Sequence, residues 1–423
     1  MYQKVTLDNG LRILTSPMPH TRSVSTGFFI TVGSRFEEEK EGGLSHFIEH
    51  MLFKGTEKRP QARDIAESIE GVGGVINAST SLELTAYWAK VPEGHLPSAL
   101  DVLVDMLRHP LLLAEEMEME RRVIMEEIKM MFDDPADWVH LLLNQLVWPH
   151  HPLGREVAGT KESVSGIDKG AMLRYLGRHY RPQNTVVTVA GHIDGDEVVD
   201  VVAEALGDWK EEERASFLPA PEEGVGPKVC IGRRETEQAQ LALSLPGIPY
   251  THPHRFDMRL LNAILGEGMS SRLFLEVREK RGLAYSIHSY VSSFHDTGTM
   301  GISAGVDPQR MEAALEAILG ELDRLREGPV PPQELRKAKE FVKGRLLLRM
   351  EDSFAVASWL GQQEALEDQV LTLDEALASL EAVTAEGIQR LAQERFSDQK
   401  ISLAVVGPFE EGEEDRFKGL LRF

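Results

Sequence analysis

The chain has one cysteine, Cys230, in 423 residues. That excludes an intrachain disulfide and any cysteine-rich metal site. Set in a strand-like run at 228–232, it reads as a small core residue rather than as a reactive thiol. Long apolar runs are missing as well. No stretch approaches the ~20 residues that a membrane-spanning helix needs. The first ten residues lack the apolar segment and cleavage site of an export signal, and read as the first strand and turn of a domain. A cytoplasmic protein without a membrane partner is expected. Basic residues are few: 46 Lys and Arg against 68 Asp and Glu leave a net charge of −22. Phosphate binding needs basic patches, so nucleic acid is not the expected partner. A phosphate loop is also missing, because no Gly-Lys-Ser/Thr follows Gly71-Val72-Gly73-Gly74, which marks a turn before a strand.

What is present is a globular composition, 42% hydrophobic and 27% charged, in a chain long enough for two or more domains. The first half alternates strands (about 10–15 and 23–33, then 75–78 and 84–91) with helices (61–71, 95–108 and 114–132), and ends in a strand at 185–191. The acidic run Glu37 to Glu41 is expected as a solvated loop. From Lys210 to Gly226 the chain is charge-rich, then rich in proline and glycine, which reads as a linker. The first half then recurs faintly. Tyr180 and Gly191, with an apolar strand between them, are matched by Phe396 and Gly407 at the same spacing. Without a steady βαβ rhythm, an α+β class is expected: two homologous sandwich-like domains, each an antiparallel-rich sheet with helices, arising by internal duplication. The boundaries are 1–212 for the first domain, 213–226 for the linker and 227–423 for the second.

Chemistry concentrates in residues 42–52. Read as a helix, this stretch puts apolar side chains at 44, 47, 48, 51 and 52, and His46, Glu49 and His50 on one face. Two imidazoles one turn apart can offer two nitrogens to one tetrahedral metal, and the carboxylate between them can handle a proton on a metal-bound water. This is the inverted zinc-peptidase order His-x-x-Glu-His. Two histidines satisfied inside a core are the plain alternative. Further on, Glu120 and Glu127 share a helix face with Met117, Ile124 and Met131. A carboxylate in an apolar stripe costs several kcal/mol unless it is paired or binds a metal. One of the two is therefore expected as third ligand, with Glu126 a competitor of Glu127. Aligning Gly33 with Gly247 puts Leu260, Ala263 and Ile264 where the first half has His46, Glu49 and His50, so the second half is expected to lack the metal site.

Together with the motif running from Ser270 through Arg278 to Tyr285, these residues resemble the pitrilysin/insulinase/mitochondrial-processing-peptidase family over almost the whole chain. The resemblance implies a zinc-dependent endopeptidase that hydrolyses extended or unfolded oligopeptides inside a clamshell chamber. One Zn2+ per chain would be held by His46, His50 and Glu127, with Glu49 as general base on the zinc-bound water. Glu120 would match the family's second acidic residue, orienting a ligand. Arg278 and Tyr285 would bind substrate backbone and stabilise the oxyanion, although alone they read as a solvated helix end and a packing residue. Asn77 and Ala78 would lie on the edge strand to which the peptide adds. A homodimer is implied, with Arg278 and Tyr285 of one chain completing the zinc site of the other. Two alternatives stay open: a non-catalytic assembly or scaffold homologue, and one half of a heterodimeric processing peptidase.

Overall fold

The computed structural model describes residues 2–210, 216–221, 226–410 and 412–423. The chain divides into two compact units that are not contiguous halves. The first comprises Met1–Ile128, Glu156–Leu218 and Leu347–Thr372, the second Lys129–Arg155, Pro219–Leu346 and Leu373–Phe423.

The first unit is built on a six-stranded sheet in the order β1 (Gln3–Thr6), β2 (Arg12–Pro17), β6 (Thr185–Gly191), β3 (Ser23–Ile30), β5 (Thr85–Pro92), β4 (Val75–Thr80). Only β2 and β6 run parallel. The inner strands are covered on both faces, so they read as unbroken apolar or small residues, whereas the edge strand β4 alternates exposed and half-buried positions. One face carries the main core, to which the helix Leu44–Leu52 contributes Leu44, Phe47, Ile48, Met51 and Leu52. The other face is closed by the helix Ser353–Glu367. Its Leu360 and Ala365 join Leu14, Phe29 and Val186. Gly361 lets that helix approach, since a Cβ there would stand 2.2 Å from the Phe29 ring. Glu364, 1% exposed, anchors it by accepting hydrogen bonds from Lys4 (2.7 Å) and Arg12 (3.3 Å).

The second unit repeats this plan. Its sheet runs β7 (Lys228–Arg233), β11 (Ser402–Gly407), β8 (Ala239–Pro246), β10 (Gly298–Val306), β9 (Ala284–Ser293), with only β7 and β11 parallel. The order matches β2-β6-β3-β5-β4 strand for strand. The helix Arg255–Gly266 follows β8 as Leu44–Leu52 follows β3, and Leu260, Ala263 and Ile264 are buried in it. The expected α+β duplication is therefore present.

The segments 129–155 and 347–372 are each grouped with the sheet of the opposite half. Each sheet has two faces to cover, and helical periodicity says only that a helix has an apolar side, not which sheet it covers. The acidic run is not a plain solvated loop, since Glu37 is 4% exposed. Cys230 is half-buried on β7 rather than fully in a core. Of the linker, 211–215 and 222–225 lie outside the described residues. Leu218 accepts a hydrogen bond from the buried Arg35 (2.9 Å), whose guanidinium stands 4.1 Å from the Phe217 ring centroid.

Candidate metal centre

The helix Leu44–Leu52 begins at Gly43, whose φ of +88° and lack of a side chain leave the first amides without a local acceptor. A Cβ on Gly43 would fall 2.5 Å from the Ala158 carbonyl oxygen. Glu37 supplies the acceptors instead, taking the amides of Gly43 (2.9 Å) and Ser45 (2.7 Å) on its two oxygens. That also places a carboxylate at the positive end of the helix.

His46 and His50, one turn apart, turn their Nε2 atoms toward each other at 3.3 Å. Glu127, from the helix Ala114–Asp133, brings Oε2 to 3.8 Å from His46 Nε2 and 3.7 Å from His50 Nε2. Among the described residues these three form a group able to hold one metal ion. Burial first, and the neighbouring His50 second, push the His46 imidazolium down to about 4, which keeps its nitrogen lone pair available. The donor set fits zinc. Metal–nitrogen bonds of 2.0–2.1 Å in a tetrahedron put two nitrogens about 3.3 Å apart, as His46 and His50 are, and the Glu127 oxygen needs only a small inward shift.

Glu49 stands between the two histidines in sequence and receives a hydrogen bond from the Thr80 hydroxyl on its Oε2. Burial raises the Glu49 carboxyl above its usual range and Glu127 adds to this, while Thr80 and His50 oppose. A base held in this way has more affinity for a proton than a solvated glutamate. Glu120 does not face the two Nε2 atoms. Its Oε2 lies 2.9 Å from His50 Nδ1 and its Oε1 2.6 Å from Lys54 Nζ. Its burial works to raise the carboxyl, but hydrogen bonds from Lys54 and His50 outweigh it, and the net direction is down. The two glutamates seven residues apart thus differ in surroundings. The buried positions of their helix are Met117, Glu120, Ile124 and Ile128, and the Glu127 side chain is 41% exposed. An α-helix drifts about 20° per heptad, which carries Glu127 to the rim of the stripe. Glu126 is exposed and outside the group.

Asn77 and Ala78 lie on β4, the edge strand of the sheet, which pairs with β5. The Ala78 amide donates to the side-chain oxygen of Asn77 (2.8 Å). Thr80, at the end of the same strand, is the residue that reaches Glu49. Arg278 and Tyr285 are in the second unit and come together there. Arg278 is on the segment Phe274–Lys280, wound as a π-helix, with its guanidinium carbon 4.7 Å from the Phe274 ring centroid and 5.6 Å from that of Tyr285. Tyr285, on β9, is 74% exposed. Sequence reasoning missed Lys54 and Thr80. For Lys54 a signal was available, its position four residues after His50; for Thr80 none was.

The family model described as insulinase (peptidase family M16) matches residues 12–161, and the model described as the peptidase M16 inactive domain matches residues 166–342. The chain belongs to peptidase family M16. Curated relatives agree. An uncharacterised zinc protease of Streptomyces coelicolor is 38% identical over 420 residues, covering 98% of this chain and 91% of that protein. An uncharacterised zinc protease of Bacillus subtilis is 38% identical over 408 residues, covering 96% and 98%. The fold is shared with the crystal structure of a protease from Helicobacter pylori, with a TM-score of 0.92 at 24% identity over 96% of this chain and 99% of that one. The M16 model spans His46, Glu49, His50, Glu120 and Glu127. The inactive-domain model spans Leu260, Ala263 and Ile264, which cannot bind a metal. No helix among the described residues is long and apolar enough to cross a membrane.

Proposed function

We propose that this M16 chain is a zinc-dependent endopeptidase acting on extended or unfolded oligopeptides. The observation that carries the reading is the convergence of His46 Nε2, His50 Nε2 and Glu127 Oε2 beside the half-buried carboxylate of Glu49. His46, His50 and Glu127 would hold zinc, one per chain, and when bound it would supply a Lewis acid for water and for a peptide carbonyl. Glu49 takes the proton from the attacking water and passes it to the leaving amine. Glu120 accepts from His50 Nδ1 and so fixes the orientation of that ring. The outer edge of β4 offers main-chain groups at Asn77 and Ala78 along which an extended peptide can pair. Recognition through main-chain groups favours unfolded substrates over particular side chains.

Arg278 and Tyr285 supply donors to the substrate backbone and the developing oxyanion, where one donor is worth about 10²–10³ in rate. We assign them to the zinc centre of a partner copy, which makes the active species a homodimer in the cytoplasm. Mixing Arg278→Ala/Tyr285→Phe chains with Glu49→Gln chains then restores partial activity, and no rescue in verified mixed dimers counts against this assignment.

The deciding experiment is cleavage of a quenched, unstructured peptide by the purified protein, with chelator and with zinc restored, beside Glu49→Gln. Activity lost to chelator, regained with zinc and missing in Glu49→Gln supports the zinc peptidase and its base together. A second reading, a non-catalytic assembly subunit or one half of a heterodimer, is left open by the match of the second half to a domain described as inactive. Zinc bound without cleavage points to a missing partner or an unusual substrate, no zinc and no cleavage points to the assembly subunit, and the mass of the native complex separates a heterodimer from a homodimer.

A further inference from the structure

We propose that Lys54 is a positioning residue of the metal centre: it fixes the Glu120 carboxylate, which in turn holds the His50 ring with its proton on Nδ1 and Nε2 free for the metal. The inference rests on the zinc reading above and extends it to a residue beyond the motif.

The geometry is a chain of three groups. Lys54 follows the end of the helix Leu44–Leu52, but the turn continues: the Phe53 amide donates to the His50 carbonyl (3.2 Å) and the Lys54 amide to that of Met51 (3.1 Å). These i→i−3 bonds tighten the last turn, and from it both His50 and Lys54 reach one carboxylate. Glu120 lies across both. Its Oε1 accepts from Lys54 Nζ at 2.6 Å and its Oε2 faces His50 Nδ1 at 2.9 Å. Glu120 is 6% exposed, so water cannot replace a lost partner freely. A carboxylate held at both oxygens cannot turn about its terminal torsion. Held so, it presents an acceptor to Nδ1, which selects the Nδ1–H tautomer and leaves the lone pair on Nε2. With Lys54 removed, one oxygen loses its donor, the carboxylate can rotate, and the ring is no longer confined to one tautomer.

The competing account is that Lys54 is only a nearby positive charge. Like charges repel, so on that account removing it strengthens the binding of a cation. The positioning account predicts the reverse, and the two are separable by sign.

The test uses the full chain stripped of metal, with Lys54→Met, Lys54→Ala and Lys54→Arg beside the parent. Zinc affinity is measured with zinc alone against a chromophoric chelator, and the His50 tautomer from imidazole 15N shifts in the metal-free proteins. Outer hydrogen-bond partners of zinc ligands are typically worth 10–100-fold in affinity. At one further remove, Lys54→Met and Lys54→Ala are expected to weaken zinc binding roughly tenfold and to give mixed His50 tautomers. Lys54→Arg is expected to recover both. Tighter or unchanged zinc binding in Lys54→Met overturns the inference, as does an unchanged His50 tautomer. Should the parent itself bind no zinc, the zinc reading fails, while the tautomer comparison in the metal-free proteins still decides the role of Lys54.

Discussion

Thr80 donates its hydroxyl to Oε2 of Glu49, tying the end of an edge strand to the carboxylate that stands between the two candidate metal ligands. A hydrogen bond to the charged form lowers a carboxyl pKa, and here it opposes the burial that raises Glu49. Removing it must raise Glu49 further. Glu49 has to be ionised to act as a base, so the acid limb of the pH profile of kcat/KM should move to higher pH in Thr80→Val. A hydrogen bond to a charge is worth roughly 1.5–3 kcal/mol when buried, and less for this partly exposed pair. Thr80→Ser should behave as the parent. An unshifted limb in Thr80→Val would show that Glu49 is not the group that titrates.

The third ligand gives a second expected outcome. Glu127 Oε2 is within 3.8 Å of both Nε2 atoms, and the adjacent Glu126 is exposed. Zinc that binds only the folded protein stabilises it by about 2.7 kcal/mol at a hundredfold excess over Kd. Thermal denaturation with and without zinc should therefore show a rise in Tm for the parent and for Glu126→Ala, and little or none for Glu127→Ala. Equal responses in the two variants would remove Glu127 from the ligand set.

Much of this centre was legible in the sequence, and the reason is local. His46, Glu49 and His50 share one short helix, and Glu120 and Glu127 share another, so helical spacing alone groups them. The strand 185–191 was readable because 185–189 is a continuous β-branched run and Gly191 closes it. What was not legible depends on long-range placement. Nothing in Thr80 announces a contact with Glu49, thirty-one residues away in sequence. The acidic residue Glu37 reads as a surface charge until the amides of Gly43 and Ser45 are seen to need acceptors. The make-up of the two compact units was not legible for the same reason. The helix Ser353–Glu367 carries no mark that it covers a sheet formed by residues of the first half.

That division makes a contiguous first domain a poor folding unit. A fragment ending at 212 lacks Leu360, Ala365 and Val370, which close one face over Leu14, Phe29 and Val186. It also leaves Arg12, 7% exposed, without the Glu364 carboxylate. Breaking a buried pair by removing one partner costs roughly 3–5 kcal/mol, comparable with much of the stability of a typical domain. The fragment is expected to aggregate or exchange its amides without protection. Hydrogen exchange in the full-length Glu364→Ala protein should show the same weakness confined to the first unit. A soluble, well-protected 1–212 fragment would contradict this account.

His179 provides the last prediction, a pH dependence of stability unconnected with catalysis. It is 4% exposed, packed against Tyr175 (ring centroids 4.3 Å apart) and Phe36 (6.2 Å), and neither ring nitrogen has a hydrogen-bond partner among the described residues. Burial first, and the Arg178 charge second, push its imidazolium down to about 4. In the unfolded chain an ordinary histidine takes its proton near 6.5. Between those values the unfolded state binds the proton and the folded state does not, so stability is complete above about pH 6.5 and falls as the pH drops toward 4. His46 carries the same depression in the metal-free protein, so the comparison belongs with zinc present or between variants. His179→Phe keeps an aromatic ring in the site and cannot take a proton. Its urea midpoint should change less between pH 7 and pH 5 than that of the parent, and equal slopes for the two would show that His179 takes up its proton in the folded state as readily as in the unfolded one.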